Sequence, residues 1–231
     1  MEHATKPALV LAVLAMYWVV GLYPYAFEPP RYISNEGAWS EAGGLVFAGA
    51  GMARTPDVPT WLQAAPTAEK LVLSVEAHTD LARQGGPARI LTVSDGTTNR
   101  NLTLGQQEAD LVLRIRRPGS TGNGMPEFRI ENVFQEPSWR NIRVEVDKGR
   151  VRIGVDGVIY LDQDFCNPIL ATWDPTFSLA LGNEIPGGER PWKGAIRVAN
   201  FDLDGKVVDV LRADQLVLPN GWWELRPGIG P

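Results

Sequence analysis

The chain has 231 residues, a formal net charge of −5, 21% charged residues and 44% from the nine hydrophobic types. This is globular composition, neither disordered nor fibrous, and its acidity argues against a dedicated nucleic-acid binder. One cysteine, Cys166, and two histidines, His3 and His78, exclude an internal disulfide and zinc motifs built on several such residues.

Residues 1–6 read as a short cytoplasmic tail. From Pro7 to Phe27, 21 successive residues carry no charge, about the ~20 that a helix needs to cross a bilayer. Tyr17, Trp18, Tyr23, Tyr25 and Phe27 gather towards one end as an interfacial belt. The flank YPYAFEPPR offers no A-x-A cleavage site, so 7–27 reads as an uncleaved transmembrane anchor rather than a secretory signal. Lys6 and the α-amine precede it, which favours an inside N-terminus. The expectation is a single-pass protein of the inner cell membrane whose main domain is periplasmic or extracellular. Residues 28–41, with two prolines, read as a linker.

Over 42–217 the apolar period is two rather than 3.6. Strands are predicted over Lys70–Ala77, Arg89–Asp95, Arg100–Gln106, Asp110–Arg117, Phe128–Phe134, Asn141–Asp147, Arg150–Asp156, Val158–Asp162, Phe177–Gly182 and Ala195–Leu203. Ile142, Val144 and Val146 face one way while Arg143, Glu145 and Asp147 face the other. Asp156-Gly157 predicts a type I′ hairpin, and Asp204-Gly205 a second turn between NFDL and KVVDV. Many short strands spaced by turns indicate a sandwich or barrel. The tail, 218–231, is rich in proline and glycine but carries Trp222 and Trp223 side by side.

The order RILTVSDGTTNRNLTLGQQEADLVLRIRR, WRNIRVEV, GVDGV, then LALGNE and GGERPWKGAIRVANF resembles the concanavalin A-like, laminin-G-type jelly roll. It looks closest to the bacterial version found beside VanZ-like membrane regions, and covers roughly Gly43 to Leu211. The resemblance implies an all-β fold: a two-sheet antiparallel jelly-roll sandwich with a concave face, preceded here by the single N-terminal transmembrane helix. It implies no activity, because the superfold hosts lectins, hydrolases and adhesion modules.

Glycoside hydrolases on this fold pair carboxylates in an E-x-D-x-x-E strand. Glu145-Val-Asp147 and Glu108-Ala-Asp110 both lack the last glutamate, so no catalytic residue is assigned and the protein is read as a non-enzyme. His78 has no G-x-S-x-G serine to serve and reads as an exposed strand-end histidine. Cys166 reads as a small packed thiol. Asp95, Asn183 and Glu184 are placed near one sheet rim as a calcium candidate that the sequence leaves unassigned; no cofactor and no metal ligand are called. Trp139 and Trp192 are expected to plug the core, while Trp39, Trp61 and Trp173 sit where packing and ligand contact both fit.

Arginine outnumbers lysine 17 to 5. Arg114, Arg116, Arg143, Arg150 and Arg152 project from strands, and if those strands are neighbours they form a basic stripe. With Trp222 and Trp223 they are the candidate partner-docking residues, since arginine and tryptophan are enriched at interfaces. The leading expectation is therefore an accessory or structural subunit of a larger membrane complex, photosynthetic or respiratory. Its partners are other membrane subunits and, through 7–27, the lipid bilayer. The alternative is a membrane-tethered carbohydrate-binding module.

Overall fold

A computed structural model describes residues 12–17, 31–185 and 190–223. The chain divides into two compact units, Met1–Arg31 with Glu224–Pro231, and Tyr32–Trp223. Of the predicted span 7–27, the described residues 12–17 are helical and the rest lies outside the described residues. Among the described residues no helix is long and apolar enough to cross a membrane.

The second unit is an antiparallel β-sandwich. One sheet has eight strands, β12-β11-β10-β5-β14-β3-β2, with β15 also on β14; the other has six, β4-β13-β6-β7-β8-β9. The eight-stranded sheet uses β2 (Gly37–Trp39), β3 (Leu45–Phe47), β5 (Lys70–Thr79), β10 (Trp139–Asp147), β11 (Arg150–Val155), β12 (Val158–Asp164), β14 (Gly194–Leu203) and β15 (Lys206–Asp209). The six-stranded sheet uses β4 (Ala53–Arg54), β6 (Gln84–Asp95), β7 (Asn99–Glu108), β8 (Asp110–Ile115), β9 (Phe128–Ile130) and β13 (Ser178–Leu181). A separate pair joins β1 (Arg31–Ile33) to β16 (Gly221–Trp223). The stretch read as a linker therefore contributes sheet: Gly37–Trp39 pairs with Leu45–Phe47.

Period-two alternation builds the core. Leu71, Leu73, Val75 and Ala77 of β5 lie beside Ile142, Val144 and Val146 of β10, all at most 2% exposed. Leu102 and Leu104 of β7 and Leu111, Leu113 and Ile115 of β8 complete one apolar cluster. Removing a buried phenylalanine such as Phe201 from such packing costs about 3–5 kcal/mol. The turns follow their residues. Asp156 and Gly157 have φ of 52° and 83°, and Asp204 and Gly205 49° and 84°. Both pairs thus adopt the double positive φ that a type I′ turn needs.

The six-stranded sheet departs from simple alternation. From Pro87 to Ser94 every residue of β6 is buried, because its second face is covered as well. Met52, Ala180 and Ile185 form a small apolar cluster apart from the main core, and Ala180 aligns with Thr92. The pairing of β6 with β7 shifts register at three points.

Candidate functional site

The outward face of the eight-stranded sheet holds a groove of about 380 Å³. Strand register sets its floor. Asn200, Ser74, Arg143 and Gly154 form one cross-strand row, and Val198, Glu76 and Asn141 the next. Ser74 and Gly154 are small, and a Cβ on Gly154 would meet nothing closer than 3.4 Å, so the floor is low there. Ile159 on the edge strand β12 walls one side and is 62% exposed.

Charges ring this floor. Glu145 lies 3.2 Å from Lys70, 3.6 Å from Arg143 and 3.4 Å from Arg152. Asp162 receives Arg150 at 2.5 and 2.6 Å and Arg152 at 3.2 Å. Hydrogen bonds from Arg150, and then from Arg152, hold the Asp162 carboxyl down at about 2. Arg197 hydrogen-bonds Glu76, which keeps that carboxyl below its ordinary value. The Arg197 guanidinium also sits 4.3 Å over the Trp139 ring. Trp139, two residues before Asn141 on β10, is 37% exposed and tilted against His78 at 5.4 Å. It does not plug the core, because its partner in register, His78, faces outward. Trp192 does plug the core: it is fully buried and its indole N–H reaches Gln106 at 3.1 Å. Trp173 is 4% exposed and Trp61 packs at 4.9 Å on Phe201.

The candidate docking arginines do not form one stripe. Arg143, Arg150 and Arg152 share the eight-stranded sheet, whereas Arg114 and Arg116 lie in or next to β8 of the other. The physical reason is that consecutive hairpins here fill one sheet before the chain crosses to the next. Trp222 lies within β16 with Trp223, but their side chains fall outside the described residues. The anchor aromatics Trp18, Tyr23, Tyr25 and Phe27 do so too; Tyr17 is helical and 77% exposed. Cys166 is exposed rather than packed.

The outward face of the six-stranded sheet is a second arginine surface. Arg114 meets Glu127 at 2.9 Å, and Arg129 meets Glu127 at 2.7 Å and Asp110 at 3.0 Å. Burial raises the Glu127 carboxyl, but hydrogen bonds from Arg129 and Arg114 outweigh it and hold the group below its usual range. Arg116 stacks 5.0 Å over Phe177. Deeper in, Arg89 and Arg100 converge on Glu184. Burial, then the charge of Arg100, pushes the Arg89 guanidinium down to about 10 against the pull of Glu184. Glu184 is thus committed to guanidiniums rather than to calcium, and Asp95 is exposed. Among the described residues no group of three or more His, Cys, Asp or Glu side chains is arranged to hold a metal. The sequence offered one signal for this cluster: Arg89, Thr92 and Ser94 are polar residues inside an otherwise apolar run.

No protein-family profile matches the chain, and no curated protein matches it either. Solved structures do match in fold. The Ruminococcus gnavus IT-sialidase CBM40 has a TM-score of 0.56 at 12% identity, covering 72% of this chain and 91% of that one. The same domain bound to α2,3-sialyllactose has a TM-score of 0.54, with the same identity and coverage. Domain 4 of the arabinanase AbnA from Geobacillus stearothermophilus has a TM-score of 0.47 at 16% identity, covering 76% and 75%. The likeness is one of fold, a β-sandwich of the jelly-roll kind.

Proposed function

We propose that the protein binds carbohydrate in the groove of the eight-stranded sheet. The observation that carries this reading is the groove itself. Its volume lies within the ~300–1,000 Å³ of small-ligand sites, and its lining interleaves Ser74, Glu76, Asn141, Arg143, Glu145 and Arg152 with the small Gly154. A sugar ring presents hydroxyls that donate and accept together. Carboxylates, an amide and guanidiniums in adjacent rows match that pattern. The shared fold with a domain solved with sialyllactose supports the same class of ligand. The fold neighbours favour this reading over an accessory-subunit role, for which they offer no support. The anchor expected over 7–27 would hold the groove at the outer side of a cell membrane; retention in the pellet after carbonate extraction supports this, and release overturns it.

The test is a glycan array followed by calorimetry on the hits, with Gly154→Leu as the control. The added side chain enters the groove from its floor, so binding should be lost while the melting temperature holds. Binding that survives Gly154→Leu places the ligand elsewhere, and a wild-type protein that binds no glycan ends the proposal.

A further inference from the structure

The groove of the eight-stranded sheet holds three polar side chains that make no hydrogen bond among the described residues: Ser74, Asn141 and Arg143. They lie together. Arg143 and Ser74 stand directly opposite each other between β10 and β5, and Asn141 is two residues from Arg143 on the same face of β10. Opposed residues of antiparallel strands are about 4.5–5.5 Å apart. The one charged neighbour of Arg143 is Glu145 at 3.6 Å, too far for a hydrogen bond, and the Arg143 side chain is 59% exposed. Its partner in register on β11 is Gly154, so no side chain fills the space on that side of the guanidinium. The other charges of the lining are engaged. Glu145 has Lys70 at 3.2 Å and Arg152 at 3.4 Å, Arg152 also reaches Asp162 at 3.2 Å, and Glu76 accepts from Arg197.

The uncommitted set is therefore rich in donors. A guanidinium donates only, and its planar fork meets one carboxylate through two parallel bonds, which a neutral hydroxyl cannot match. We propose that the sugar held in the groove is an acidic one, whose carboxylate docks on Arg143 while Ser74 and Asn141 take its neighbouring hydroxyls. This rests on the carbohydrate reading above and narrows it to carboxylated sugars. Long-range attraction does not supply such a preference, because the chain carries −5 and its overall field repels an anion. The preference comes from contact at Arg143. Glu145 does not oppose it, since Lys70 and Arg152 remain beside Glu145 when Arg143 turns to the ligand.

The test is an array and calorimetry with the full-length protein, in which each acidic glycan is set beside its carboxyl-reduced counterpart. Oligogalacturonate, oligomannuronate, glucuronate-bearing oligosaccharides and sialyllactose are the probes. At least one acid should bind, and its reduced form should bind roughly tenfold or more weakly. Arg143→Gln should bring the acid down to the level of the reduced form at an unchanged melting temperature, because the ion pair it removes is exposed and long. Lys148→Gln removes the same charge from the β10–β11 hairpin, outside the lining, and should keep the preference. Equal binding of an acid and its reduced form, binding of neutral glycans alone, or a stronger response to sulfated galactose than to any carboxylated sugar overturns the proposal and leaves the carbohydrate reading standing. So does a preference that survives Arg143→Gln or disappears in Lys148→Gln. If no glycan of any kind binds, the carbohydrate reading fails and this proposal fails with it.

Discussion

The two outward faces of the sandwich handle arginine in opposite ways. On the eight-stranded sheet Lys70, Arg143, Arg150, Arg152 and Arg197 face Glu76, Glu145, Asp147, Asp162 and Asp164, five cations against five carboxylates in contact with water. On the six-stranded sheet Arg89 and Arg100 meet Glu184, and Arg114 and Arg129 meet Glu127 and Asp110, with part of the set buried. Exposed pairs are screened and exchange partners at little cost. Buried ones are held in one geometry by the penalty for leaving any of them alone. The first face suits reversible recognition of a hydroxyl-rich ligand. The second suits the retention of charge.

The largest effect should therefore come from Glu184→Gln. It strands two guanidiniums at 2–3% exposure, and breaking a buried pair typically costs about 3–5 kcal/mol. Glu145→Gln removes a carboxylate on the other face whose three cationic neighbours are 37–59% exposed, so water takes its place and the loss should be smaller. Denaturant midpoints at unchanged m-value measure both. Equal losses would erase the distinction between the faces.

An intermediate effect is expected inside the doubly buried sheet. Thr92 and Thr103 lie opposite each other with their hydroxyls 3.0 Å apart, and the Thr92 hydroxyl also lies 3.2 Å from the Leu102 carbonyl. Thr103→Val keeps the shape and removes one partner, so a loss of about 1 kcal/mol should appear in the same unfolding experiment. A loss near zero would mean that this face is wetter than its burial indicates.

Much of this architecture was legible from alternation and turn chemistry. All ten predicted strands overlap observed ones, since Ile142-x-Val144-x-Val146 admits one facing and Asp-Gly pairs admit one turn, but the strand read over Phe128–Phe134 ends at Ile130, where the chain turns. Illegible were the short strands Leu45–Phe47 and Ala53–Arg54, too brief to display a period, and the pairing of Gly37–Trp39 within a segment that reads as linker. The site was legible by halves. Arg143 and Arg152 were picked out as outward-facing and do line the groove, but which strands become neighbours is a long-range fact, and it separated them from Arg114 and Arg116. Glu184 was noticed as an acid, yet only the fold shows that two arginines already hold it.

The smallest expected effect concerns acid stability, and it separates the faces by salt. Arg150 and Arg152 hold Asp162 near 2 in the folded state, against about 3.9 in an unfolded chain. A depressed carboxyl contributes stability that is complete above the unfolded value and is lost as pH falls through the folded one. Between about pH 4 and pH 2 the wild type should therefore lose a stabilisation that Asp162→Asn lacks at every pH. Because Asp162 and Arg150 are open to solvent, the difference should shrink in 1 M salt, where the screening length is only about 3 Å. Glu127 is also depressed, but it is shielded by Arg114 and Arg129 and only 14% exposed, so its share of the acid transition should resist the same salt. Melting curves of wild type, Asp162→Asn and Glu127→Gln across pH 2–5, at low and high salt, read this directly. If salt flattened the Glu127 contribution as much as that of Asp162, both faces would be equally solvated, and the contrast between them would rest on Glu184 alone.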